Sequence, residues 1–209
     1  MFKLNKRIKL SILIVILITV ITVIGTSFAY FASANGNNNI GGQSFDFGAS
    51  LNSSTIYSAT NLVPLSNSLI TTAISKASNK CIDLKNNDVC SLYQITLSNN
   101  GDDVVLYPFI TTTSTTYTTN NLKAQLFNSS FVAVSDILTP SNSANGEVYF
   151  TSNSNNMSIN LSSSNIVYYL AIWLSDTSAS QTVDYNKSYS GKITFSAGDA
   201  GSVYTTFGS

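Results

Sequence analysis

Ile166-Val167-Tyr168-Tyr169-Leu170-Ala171-Ile172-Trp173-Leu174 is apolar at nearly every position. Side chains of a strand alternate between its two faces. A strand apolar on both faces belongs in the middle of a sheet that is covered from both sides. This stretch predicts such a strand and places Trp173, the only tryptophan, in the core.

The segments around it alternate and are separated by polar turns. On its C-terminal side, Tyr189, Ile193 and Phe195 share one face while Ser190, Lys192, Thr194 and Ser196 share the other, and Val203 to Phe207 reads as a last short strand. On its N-terminal side, Glu147 to Thr151 and Met157 to Leu161 read as strands around the polar turn 152–156, and Pro140 to Gly146 as a loop ending in Asn-Gly. Leu122 to Phe127 and Phe131 to Val134 form a further pair around Asn128-Ser129-Ser130. Tyr93, Ile95 and Leu97 alternate with Gln94, Thr96 and Ser98 before Asn99-Asn100-Gly101-Asp102, a hairpin-type turn. Asp103 to Thr111 returns as a strand, with Pro108 marking an edge or a bulge. Gln43 to Ser50 is the first strand, with Phe45 and Phe47 on one face; Ile56-Tyr57 and Leu62-Val63 read as short edges. Ser66 to Lys80 carries Leu69, Ile70, Ala73, Ile74 and Ala77 at helical spacing, with Ser66 or Ser68 as cap, and predicts one helix covering an end of the sheets. Many short strands, polar turns and one short helix predict an all-β fold. The expected form is a single β-sandwich, jelly-roll or Ig-like, over residues 43–209.

The N-terminus sets the compartment. Lys3, Lys6, Arg7 and Lys9 precede an apolar run from Leu10 to Ile24, and Gly25, Thr26, Ser27 and Ala29 follow it. A basic end, an apolar middle and a small-residue exit describe a secretory signal peptide. Cleavage between Ala29 and Tyr30 fits the small-residue rule, as does cleavage after Ala34. Uncleaved, the span to Phe31 reaches roughly the 20 residues of a membrane helix, with its basic end cytoplasmic. Residues 1–29 are thus a signal peptide or hydrophobic export anchor. Residues 30–42, rich in Asn and Gly, are a flexible arm, and the rest faces the exterior at the cell surface or beyond.

The exit Gly25-Thr26-Ser27-Phe28-Ala29-Tyr30-Phe31 resembles that of bacterial proteins processed by a SipW-type signal peptidase, the TasA and camelysin relatives. Ser27 is one residue more than the pattern holds. Phe45-Asp46-Phe47-Gly48 and the strand Tyr93 to Asn99 followed by Asn100-Gly101 resemble further segments of that family, whereas Cys81 and Cys90 depart from it. The resemblance implies a surface-layer or biofilm-matrix protein, with the signal peptidase as a processing partner.

Export gives the remaining residues their meaning. Four of the ten cations and none of the ten acids lie within the first 29 residues, which leaves the exported part at −4. Nucleic acid and anionic lipid need clustered Lys and Arg, and the remaining lysines are scattered. Low charge opposes edge-to-edge strand pairing only weakly. Cys81 and Cys90, an isolated pair in an exported chain, read as one structural disulfide, worth about 2–3 kcal/mol.

The chain has no histidine, which removes Ser-His-Asp and Cys-His catalysis and H-E-x-x-H zinc sites. That includes any metallopeptidase the camelysin resemblance would imply. Glu147, the sole glutamate, has no sequence-defined partner for two-carboxylate chemistry. The oxygen-rich run Asp83 to Asp88, and less so Asp102-Asp103, fits a calcium loop or a plain Asx turn. No catalytic residue, cofactor or firm metal site is expected. The leading expectation is a self-assembling structural protein, in which residues 35–50, with Phe45 and Phe47, fill a sheet edge of the next copy. The alternative is a membrane-anchored, monomeric adhesion or glycan-binding module that uses loops 111–121 and 151–156, with Tyr107, Tyr117, Tyr149 and Tyr168 as stacking faces.

Overall fold

The computed structural model describes residues 48–59, 62–75, 80–177 and 181–208. The export segment, the Ala29–Tyr30 cleavage point, the arm, and Phe45 and Phe47 lie outside these residues. Among the described residues no helix is long and apolar enough to cross a membrane.

Among the described residues eleven strands carry the fold: β1 (Ala49–Tyr57), β2 (Cys90–Asn99), β3 (Val104–Thr115), β4 (Leu122–Asn128), β5 (Glu147–Tyr149), β6 (Thr151–Ser152), β7 (Asn155–Asn156), β8 (Ile159–Leu161), β9 (Ile166–Leu174), β10 (Tyr189–Ser196) and β11 (Ser202–Gly208). One antiparallel sheet has the order β1-β2-β9-β4. A second runs β11-β10-β3-β5, with β8 also paired to β3. The fold is all-β.

β9 has the bounds its sequence predicts and lies between β2 and β4. Its two faces enter two different cores. Tyr168, Leu170, Ile172 and Leu174 join Ile95, Leu97 and Leu126 of the first sheet and Leu106, Ile110, Ile193, Phe195 and Phe207 of the second in one buried cluster. Ala171 and Trp173 join a separate cluster with Leu92, Phe127, Cys81, Cys90 and the helix residues Ile70, Ala73 and Ile74. Each such aliphatic side chain contributes about 1.5–3 kcal/mol when fully buried. Trp173 is fully buried, and its indole N–H donates to Asn67 Oδ1 at 3.0 Å.

The helix differs from its sequence pattern. A 3-10 turn, Asn67–Leu69, leads into α1 (Ile70–Ser75); residues 76–79 lie outside the described set. Ser66 is the cap residue but makes no capping bond with its side chain; its hydroxyl pairs with that of Ser68 at 3.1 Å. The helix packs on the outer face of β9 and not on an end of the sheets, because that face is apolar and needs a cover.

Four other expectations are corrected. The turn 99–102 is no hairpin: β2 and β3 belong to different sheets, and the chain crosses between them there. Asn99 makes the crossing rigid. Its side-chain amide donates to the carbonyls of Asp102 (2.7 Å) and Leu161 (3.1 Å), and its Oδ1 accepts from Gly101 N–H at 3.0 Å. Gly48 sits against this crossing so closely that a Cβ would lie 2.3 Å from Gly101 N. Pro108 is on a central strand, not an edge. Its carbonyl accepts from Phe150 N–H, and N and O of one strand residue point to the same side. The missing N–H therefore faces Phe150, whose carbonyl accepts from Met157 N–H instead, so no acceptor is left unpaired. Finally, the first described strand runs from Ala49 to Tyr57, well beyond Ser50, and includes Ile56-Tyr57. Segment 131–134 pairs with β4 through the bridge Phe127–Ala133 and a hydrogen bond from Val134 N–H to Leu126 C=O, not as a full strand.

Candidate assembly edge and inter-sheet cavity

Edges decide what a β protein can join. The outer side of β4 is covered by residues 132–138, which bond to Ala124, Leu126 and Asn128. The side of β3 away from β10 is taken by β5 and β8. Among the described residues, β1 pairs with β2 alone and β11 with β10 alone. These two edges, open among the described residues, lie side by side, since Ser53 on β1 and Thr205 on β11 share a hydroxyl hydrogen bond of 2.6 Å. Their sequences, ASLNSSTIY and SVYTTFG, contain no charge and no proline. Natural edges are commonly blunted by charge, proline or bulges; here a single irregularity lies between Thr55 and Tyr57.

At the end of the space between the sheets is a cavity of about 270 Å³. Tyr93, Leu122 and Ile172 line it from the first sheet, Tyr189 and Phe207 from the second, with Tyr117, residues 58, 59 and 62–64 and the loop 184–188 around them. Phe207 packs on Tyr93 and Tyr189 with centroids 5.5 and 6.1 Å away. Tyr189 Oη and Thr112 Oγ1 are 3.2 Å apart. Asp184, only 4% exposed, accepts from Thr119 Oγ1 at 2.6 Å and Asn121 Nδ2 at 2.7 Å. Burial raises the phenol pKa of Tyr117, and the charge of Asp184 adds to the rise. Burial likewise raises Tyr93 and Tyr189.

Cys81 and Cys90 form a disulfide with Cα atoms 5.3 Å apart, and both are fully buried against Trp173. Within its loop, Asp83 accepts from Lys85 N–H (2.7 Å), Asn87 N–H (2.8 Å) and Asn87 Nδ2 (2.8 Å), an Asx turn that lowers its pKa, chiefly through Asn87. Asn86 takes a left-handed conformation, φ 65°, which asparagine tolerates. Asp88 instead accepts from the Tyr57 hydroxyl. The two carboxylates thus serve different partners. No group of three or more His, Cys, Asp or Glu residues among the described residues is arranged to hold a metal. Glu147 and Tyr149 lie on β5.

The tyrosines divide into two sets. Tyr107 and Tyr149 are half-exposed, whereas Tyr117 and Tyr168 are buried and offer no surface stacking face. Sequence reading missed Asp184 and the cavity altogether. Asp184 sits in a short 3-10 turn, Thr182–Asp184, with no periodic pattern around it, and its partners Thr119 and Asn121 are more than sixty positions away. No family model matches the chain, and no curated protein matches it.

Proposed function

We propose that this chain is an exported structural protein of the cell surface or extracellular matrix that self-assembles by strand addition. The observation that carries the reading is the pair of adjacent, uncharged open edges on β1 and β11. An incoming strand gains backbone hydrogen bonds along such an edge and side-chain pockets beside it. Residues 30–47 precede β1 in sequence, and in this reading they supply the strand that the next copy accepts. A head-to-tail contact of this kind extends into a filament unless its rotation closes a ring. We read the two sheets as the halves of a jelly-roll or Ig-like sandwich. The N-terminal apolar segment acts as signal peptide or membrane anchor, and the disulfide suits the oxidising exterior. The SipW-type exit resemblance points the same way. The test is deletion of residues 30–42 combined with Phe45→Ser and Phe47→Ser. Loss of assembly is expected; assembly at the wild-type level refutes the arm mechanism.

A second reading, a membrane-anchored glycan-binding module, is favoured by Tyr107 and Tyr149, which are 42% and 47% exposed. Binding of the monomer to a glycan array, lost in Tyr149→Ala, supports it; an array without signal removes it.

A further inference from the structure

Asp184 is a buried carboxylate whose two hydrogen-bond donors, Thr119 and Asn121, are both neutral. It makes no ion pair among the described residues. A carboxylate offers about four acceptor positions, so about half of its capacity is open. Buried charges are ordinarily matched by a counter-charge, because desolvation costs several kcal/mol per ion. Lys187 also lies on the wall of this cavity; it is an exposed residue and makes no ion pair with Asp184. The cavity therefore joins a buried carboxylate that has no ion-pair partner among the described residues to a set of aromatic rings: Tyr93, Tyr117, Tyr189 and Phe207. Aromatic faces are negative and attract ammonium groups, more strongly when desolvated. Ser58, Ser91 and Ser188 add hydroxyls around this wall. At about 270 Å³ the space is just below the usual range for ligand pockets, which starts near 300 Å³, and fits one sugar-sized ring.

We propose that this cavity binds a monosaccharide-sized organic ammonium, an amino sugar by chemical class, with its N–H groups on the Asp184 carboxylate and its ring among Tyr93, Tyr117 and Tyr189. Binding here does not rest on the assembly reading, although Phe207 and Gly208 of β11 belong to the cavity wall as well as to an edge strand.

The test uses the full-length chain with glucosamine, glucose and N-acetylglucosamine at about pH 6, where a sugar amine is charged, with affinities measured by titration calorimetry. Glucosamine is expected to bind and the two neutral sugars to bind at least about thirtyfold more weakly, the low end for loss of one member of a buried charge pair. Asp184→Asn is expected to lose a similar factor for glucosamine. No binding of glucosamine, equal binding of the neutral sugars, or unchanged binding by a folded Asp184→Asn each overturns the proposal. Where circular dichroism shows that Asp184→Asn does not fold, the three sugars on the wild-type chain decide the matter alone.

Discussion

Reducing the Cys81–Cys90 disulfide probes how the second core is held. The bridge spans nine positions, and the chain-entropy relation gives about 2.5 kcal/mol for a loop of that size. Both sulfurs remain in a cluster with Trp173, Ala171 and α1 after reduction, so the apolar burial is largely kept and the entropy dominates. With a urea slope of about 2 kcal/mol/M, the unfolding midpoint should fall by about 1 M in reductant. Trp173, buried in the same cluster, supplies the fluorescence signal. Because both cysteines are fully buried, reductant should act on the native protein only after local opening. A midpoint that shifts by less than about 0.2 M, roughly 0.4 kcal/mol against about 2.5 expected from chain entropy, refutes the reasoning.

Trp173→Ala should cost about 3–5 kcal/mol by urea unfolding, and Trp173→Phe less, roughly 1 kcal/mol of it from the lost bond to Asn67. Asp83 and Asp136 are both held below the ordinary carboxylate pKa, Asp83 chiefly by Asn87 and Asp136 chiefly by the Ser154 N–H. Their stabilisation is complete above the unfolded carboxylate pKa, about 4, and is lost as pH falls through the lower folded values. The urea midpoint of the wild type should therefore drop in acid more than that of Asp83→Asn/Asp136→Asn. Ser53→Lys places an inward charge on the open edge of β1 at the cost of one exposed hydroxyl bond; it should suppress assembly while changing monomer stability by no more than about 1 kcal/mol.

What the sequence made legible follows from burial. β9, two-sided and apolar, was readable to its last residue, and Trp173 with it, because nothing but a covered central strand can hold IVYYLAIWL. β10 was readable because Tyr189, Ile193 and Phe195 face one core. β1 was not: an edge strand that is mostly exposed has no apolar alternation to show, and Ser53, Ser54 and Thr55 look like a loop. The crossing at 99–102 carries the residues of a hairpin turn, since Asn and Gly serve a tight reversal and a sheet change alike. What distinguishes them is the bond from Asn99 to Leu161, sixty-two positions away. The disulfide was legible from two cysteines in an exported chain. Asp184 was invisible for the opposite reason: its meaning lies in Tyr93 of β2, Tyr189 of β10, and Tyr117, Thr119 and Asn121 of the loop between β3 and β4, all but Tyr189 distant from it in sequence.

Negative-stain electron microscopy of purified residues 30–209, beside size-exclusion chromatography, tests the central claim most directly. The open, uncharged edges of β1 and β11 predict fibres or large regular assemblies. A monodisperse monomer at high concentration contradicts self-assembly by strand addition.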